Sequence, residues 1–144
     1  MKEYYRSAPS SPDTIYVNSF PSGSSIHYLS TSDQFHRVKG DELWHYYEGD
    51  VVDINLIIDD TTISHVKLGV CPDCEKQYVV PSGVWYYTHL QKVKGYSLHS
   101  VNVLPAWTTD SVEYIQTNYL LQRYPLLRAI ILRLIERTQP ANRQ

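Results

Sequence analysis

Two short segments concentrate the side chains able to do chemistry. Residues 36–49 read His36-Arg37-Val38-Lys39-Gly40-Asp41-Glu42-Leu43-Trp44-His45-Tyr46-Tyr47-Glu48-Gly49. Residues 79–87 read Val79-Val80-Pro81-Ser82-Gly83-Val84-Trp85-Tyr86-Tyr87. An imidazole close to a carboxylate gains proton affinity and a defined tautomer, and a phenol can donate a proton. Such a set suits proton abstraction beside a carbonyl, the step in sugar epimerisation or isomerisation. Indole and phenol rings add large apolar area with a polar tip, which suits a pocket wall and a sheet core alike.

The two cysteines fall in Cys71-Pro72-Asp73-Cys74. Such a pair is half of a zinc site, and no second cysteine pair or closely spaced histidine pair completes it. A thioredoxin-like motif would sit where a strand meets a helix, and no helical pattern follows. The segment therefore reads as a tight turn between strands carrying two reduced thiols. Thirteen tyrosines stand against two phenylalanines and three tryptophans. They could line a ligand pocket, build an interface, or serve as ordinary strand residues.

The elements that must position these groups follow from patterning. A chain of 144 residues can bury one real core without disulfides or a structural metal. Residues 1–13 read as an arm or loop. Strands are expected at Thr14–Phe20, Ile26–Ser30, Gln34–Val38, Glu42–Tyr47, Val51–Ile58, Ile63–Leu68, Gln77–Val80, Val84–Leu90 and Tyr96–Leu104. In the fifth of these, Val52, Ile54, Leu56 and Ile58 share one face, with Asp53 and Asn55 on the other. Short strands with regular turn signals over 14–107 argue an all-β sandwich or barrel. Residues 108–144 form a helical tail. There Leu127, Ile130, Ile131, Leu134 and Ile135 make an apolar stripe, opened by Pro125.

A formal net charge of -2 offers no basic face for nucleic acid. The start, Met1-Lys2-Glu3-Tyr4-Tyr5-Arg6, is polar where a signal peptide would be apolar, and no long uncharged apolar run exists. These features predict a soluble, cytoplasmic protein with no membrane contact.

Both chemistry-bearing segments resemble the two motifs of the cupin superfamily. The first motif has a His pair, then Glu, then Gly; the second has Pro-x-Gly with a His three residues on. The likeness is closer still to the branch catalogued as domain of unknown function 985. It extends to Tyr5-Arg6-Ser7, Thr14-Ile15-Tyr16, Leu68-Gly69, Val80 to Trp85, and Tyr124-Pro125. The resemblance implies a cupin-like double-stranded β-helix, a jelly-roll sandwich or barrel, with a short C-terminal helical segment.

Metal-binding cupins hold a divalent ion with three His and one Glu. By that resemblance His36 matches the first His and Glu42 the carboxylate. Val38 takes the second His position and Tyr86 the third, while Ser30 and Leu90 replace two looser motif residues. No resident cofactor is therefore expected. If a divalent metal binds at all, it binds weakly through His36 and Glu42. His45 and His89 are the substitute ligands at hand, although alternation aims His45 away from Glu42.

Placed on the family barrel, His36, Glu42, Trp44, Tyr46 and Tyr86 would face one cavity, with Arg37 and Lys39 on the opposite face. His36, Glu42 and Tyr86 are then the catalytic candidates, and Trp44, Tyr46 and Trp85 the ligand-binding ones. The reading that follows is a small-molecule cupin, working as a metal-independent isomerase or epimerase on a carbohydrate or nucleotide-like ligand. Nucleotide-sugar epimerases among metal-free cupins resemble it in pairing a His base with a Tyr acid. The alternatives are a non-catalytic metabolite-binding module and, third, a metal-dependent oxygenase or lyase. A homodimer is expected, because open sheet edges need covering.

Overall fold

Strand formation follows the two-residue alternation of apolar and polar side chains. The computed structural model describes residues 34–92 and 95–137 in full. It describes the backbone of Thr138 and of the short strands within 1–33. Among the described residues the chain runs β1 (Tyr5–Ser7), β2 (Tyr16–Val17), β3 (Phe20–Pro21), β4 (Ser24–Tyr28), β5 (His36–Val38) and β6 (Asp41–Gly49). It continues through β7 (Val52–Ile57), β8 (Ile63–Leu68), β9 (Gln77–Val80), β10 (Tyr86–Leu90), β11 (Ser97–Leu104) and β12 (Val112–Tyr114). Two helices follow, α1 (Thr117–Arg123) and α2 (Arg128–Thr138).

Two five-stranded sheets form, in the orders β1-β4-β11-β6-β9 and β12-β5-β10-β7-β8, and every strand pair in them is antiparallel. This is the jelly-roll arrangement expected. Three details differ from the sequence reading. Tyr5–Ser7, within the expected arm, pairs with β4, Tyr5 opposite Tyr28. The expected strand Thr14–Phe20 contributes instead to a hairpin of β2 with β3. Val112–Tyr114, in the expected helical tail, is an edge strand on β5.

The facing sides of the two sheets enclose one apolar cluster, to which Trp44 and Val101 come from the first sheet and Ile54 and Tyr86 from the second. A second cluster lies on the outer side of the second sheet. There Leu120, Leu127 and Ile131 of the helical tail pack on Phe35, Trp85 and Tyr87. Each fully buried aliphatic side chain of that layer contributes roughly 1.5–3 kcal/mol. Pro125 follows α1 and opens a short 3-10 turn, as a residue without an N–H suits a first helical position. Of the predicted stripe, Leu127, Ile131 and Leu134 are buried, whereas Ile130 faces solvent.

Ile57 of β7 joins this outer cluster, and all six residues of β7 are buried. Asp53 and Asn55 do point away from Ile54, yet they are covered rather than solvated. Ile58, expected on the apolar face, lies beyond the strand and is exposed.

Candidate functional site

Three strands position the candidate site. β5 and β10 are neighbours, with His36 opposite Tyr86. β6 lies in the facing sheet and carries Glu42 and Trp44 inward, where both are buried. The turn Pro81-Ser82-Gly83 fixes how β10 begins. Gly83 takes φ of 76°, a left-handed conformation that favours glycine, and its N–H donates to Val38 O at 2.8 Å. Ser82 N–H donates to Asp41 Oδ1 at 2.8 Å, tying the same turn to the start of β6. Gly49, at φ of 102°, ends β6; its carbonyl accepts the Tyr46 hydroxyl at 2.7 Å.

Tyr86 is the centre of the arrangement. Its ring lies 4.3 Å from that of His36, centroid to centroid, and its hydroxyl hydrogen-bonds the Glu42 carboxyl across the interior. Tyr114 of β12 adds a ring 5.6 Å from His36. His36 Nδ1 lies 2.9 Å from Gln34 O; the Nδ1–H tautomer donates there and leaves Nε2 as the nitrogen with a lone pair.

Burial lowers the His36 pKa from 6.5, opposed only in part by the bond to Gln34. This reverses the expectation that a nearby carboxylate would raise it. The ring touches Tyr86 and Tyr114 rather than a charge, so desolvation decides. Burial pushes Glu42 up to about 7, with the Tyr86 hydrogen bond pulling the other way. The interior thus pairs an imidazole whose charging burial disfavours with a carboxyl whose pKa burial raises to about 7. Environments that separate two proton affinities in this way define an acid and a base.

The aromatic candidates separate by face. Trp44 is buried, edge-on to Tyr86 at 6.2 Å, and stacked on His99 at 5.0 Å with an interplanar angle of 17°. One face of the indole is therefore already taken. Trp44 Nε1 and Glu42 Oε2 are buried and have no hydrogen-bond partner among the described residues. Tyr46 stands at the rim, its hydroxyl committed to Gly49 O; burial, then Asp50, Glu48 and Tyr96, raise its pKa. Trp85 is not in the interior. It belongs to the outer cluster, beneath the Arg37 guanidinium 4.6 Å above its ring. Trp85 and Tyr86 are adjacent, and neighbours along an extended chain face opposite sides.

His99 was missed in the sequence. Alternation from Val103 through Val101 points it inward, and it is fully buried, with burial lowering its pKa to about 4. His89 faces outward. It joins His65 and Gln91 on Asp53, at 3.2, 2.9 and 3.0 Å. Burial raises the Asp53 pKa, but those three hydrogen bonds outweigh it and hold the carboxyl at about 2. Arg37 faces away from His36, where it pairs with Glu113 of β12 at 2.6 Å.

The donor set does not fit the three-His, one-Glu metal pattern. Val38 is buried in the second position and offers no donor, and Tyr86 spends its hydroxyl on Glu42. Among the described residues, the one group of three or more His, Cys, Asp or Glu side chains close enough to share an ion is Cys71, Asp73 and Cys74. That group lies at the β8–β9 turn. The turn also corrects the expectation of free thiols: Cys71 and Cys74 are joined in a disulfide, with Cα atoms 4.9 Å apart. Cys74 N–H donates to Cys71 O at 3.2 Å, which folds the two side chains within bonding range.

Two antiparallel five-stranded sheets packed as a jelly roll have the architecture of the cupin class. The chain belongs to the cupin superfamily, in its DUF985 branch, whose family model matches residues 1–115. A Shewanella oneidensis protein solved by X-ray crystallography is 28% identical with a TM-score of 0.80, over 94% of this chain and 86% of that one. A hypothetical protein from Leishmania major is 23% identical with a TM-score of 0.78, over 90% and 87%. Streptomyces Pac13, a nucleoside dehydratase solved with uridine, is 14% identical with a TM-score of 0.50, over 67% and 70%. At such identity the last two show the fold alone. No curated protein matches the chain at a significant level.

Proposed function

We propose that the interior is a small-molecule site performing metal-independent acid–base chemistry of the isomerase or epimerase kind on a carbohydrate or nucleoside-like ligand. The observation that carries this reading is Tyr86 set between His36 and Glu42, the pKa of the one lowered and that of the other raised by burial. His36 Nε2 takes a proton from the carbon beside a carbonyl. The Glu42 carboxyl, through the Tyr86 hydroxyl, protonates the carbonyl oxygen to give an enol. That oxygen then returns its proton through Tyr86 to Glu42 as the carbon takes a proton from water on its other face. His36 releases the abstracted proton to solvent, which completes an epimerisation. Similarity of fold to a dehydratase solved with uridine makes uridine a reasonable first probe beside simple sugars.

Binding without turnover is the second reading, favoured by Trp44 Nε1 and Glu42 Oε2, which have no partner among the described residues and could be met by a ligand whether or not it reacts. His36→Ala tests the first. With folding intact, turnover should fall roughly 100-fold or more, the scale of general base catalysis. Unchanged turnover and binding would sink the assignment, and product-free single turnovers with retained binding would leave the binding module.

The same reading includes a homodimer in the cytoplasm. In that compartment the Cys71–Cys74 bond would meet a reducing pool. A monomer in light scattering, or recovery outside the cytoplasm on fractionation, would remove those parts. Among the described residues no helix is long and apolar enough to cross a membrane.

A further inference from the structure

We propose that the ligand of this interior is uncharged, a non-phosphorylated sugar or nucleoside held between the Trp44 indole N–H and the Glu42 carboxyl. The inference deepens the reading just given and rests on it. Its basis is which charges the inward faces lack and which polar atoms they leave unpaired.

No described lysine or arginine points into the interior. Arg37 lies outside on Glu113, Lys67 pairs with Asp73, and Lys92 pairs with Asp50. Lys39 and Lys76 are exposed in turns, and the remaining arginines with described side chains sit on the helical tail. The two inward imidazoles, His36 and His99, are both buried, which disfavours their charged forms. A phosphate entering this space would lose its water and meet no cation among the described residues, beside a carboxyl. Burying a charge in that way is far costlier than burying a hydroxyl.

Among the polar atoms that the inward faces offer are an indole donor and a carboxyl oxygen, both buried without a hydrogen-bond partner among the described residues. Glu42 and Trp44 are two residues apart on β6, so their Cα atoms stand about 6.6 Å apart along one face. A ligand must bring an acceptor to the indole and a hydroxyl or N–H to the carboxyl. Sugars and nucleosides carry both at such spacings. An organic cation would suit Glu42 but would leave the indole N–H unmatched.

Calorimetric titration of the full chain with two matched pairs tests this: uridine against uridine 5′-monophosphate, and glucose against glucose 6-phosphate. The neutral member of at least one pair should bind roughly 10-fold or more tightly than its phosphate. Trp44→Phe and Glu42→Gln should each weaken that neutral ligand by about 3- to 10-fold, the effect of one lost hydrogen bond. Equal or tighter binding of the phosphate would overturn the inference while leaving a ligand site in place. So would neutral binding indifferent to both variants. Failure of all four compounds to bind would overturn the ligand-site reading, and the inference with it.

Discussion

Burial raises the Glu42 pKa, and this has a thermodynamic signature. Its carboxyl binds a proton more tightly folded than unfolded, with a pKa of about 7 against 4.5. The stability it contributes is therefore full below about pH 4.5 and is lost as pH rises to about 7, on the order of 3 kcal/mol in all. His36 has the opposite sign. Its lowered pKa contributes stability above 6.5 that is lost as pH falls. Comparing the wild type with Glu42→Gln isolates the carboxyl. Urea unfolding should find the variant more stable than the wild type at pH 8, by up to about 3 kcal/mol, and the gap should close or reverse at pH 5. Two stability profiles running parallel across that range would mean that Glu42 does not titrate as described.

Positioning belongs to the elements, and they show where the sequence was legible. Motif spacing and alternation placed β5, β6 and β10, with His36, Glu42, Trp44 and Tyr86 inward, because the side-chain period of a strand is two whatever else happens. The same rule carried His99 and spoke against Trp85, which directly precedes Tyr86; there the signal existed and was overlooked. Other features were not legible. The lowered pKa of His36 depends on which ring register brings to it, Tyr86 rather than a carboxylate. Asp53 and Asn55 are buried with partners from other segments, His65, His89 and Gln91 on the one and Tyr87 O on the other, which no local pattern on β7 reports. Strands of three residues, such as β1 and β12, are too short for periodicity to register. The helical tail was visible as a stripe, but its partner surface of Phe35, Trp85 and Tyr87 emerged only with the sheet.

Across the whole molecule, two layers divide the labour. The helices and the outer side of the second sheet supply packing around Trp85, while the space between the sheets holds the polar constellation. Lysines and arginines with described side chains stay outside that space, where aromatic rings, buried imidazoles and one carboxyl lie. The three tryptophans report on these regions separately, since Trp44 lies inside, Trp85 lies under Arg37, and Trp107 lies partly exposed beyond β11. Indole N–H resonances of nitrogen-15-labelled protein, followed while uridine is titrated to saturation, therefore read the position of a ligand directly. The Trp44 signal should move with a single saturable dependence on uridine, while Trp85 and Trp107 hold still. A Trp44 signal that stays in place at saturating uridine, with or without movement at Trp85, would contradict an interior binding site.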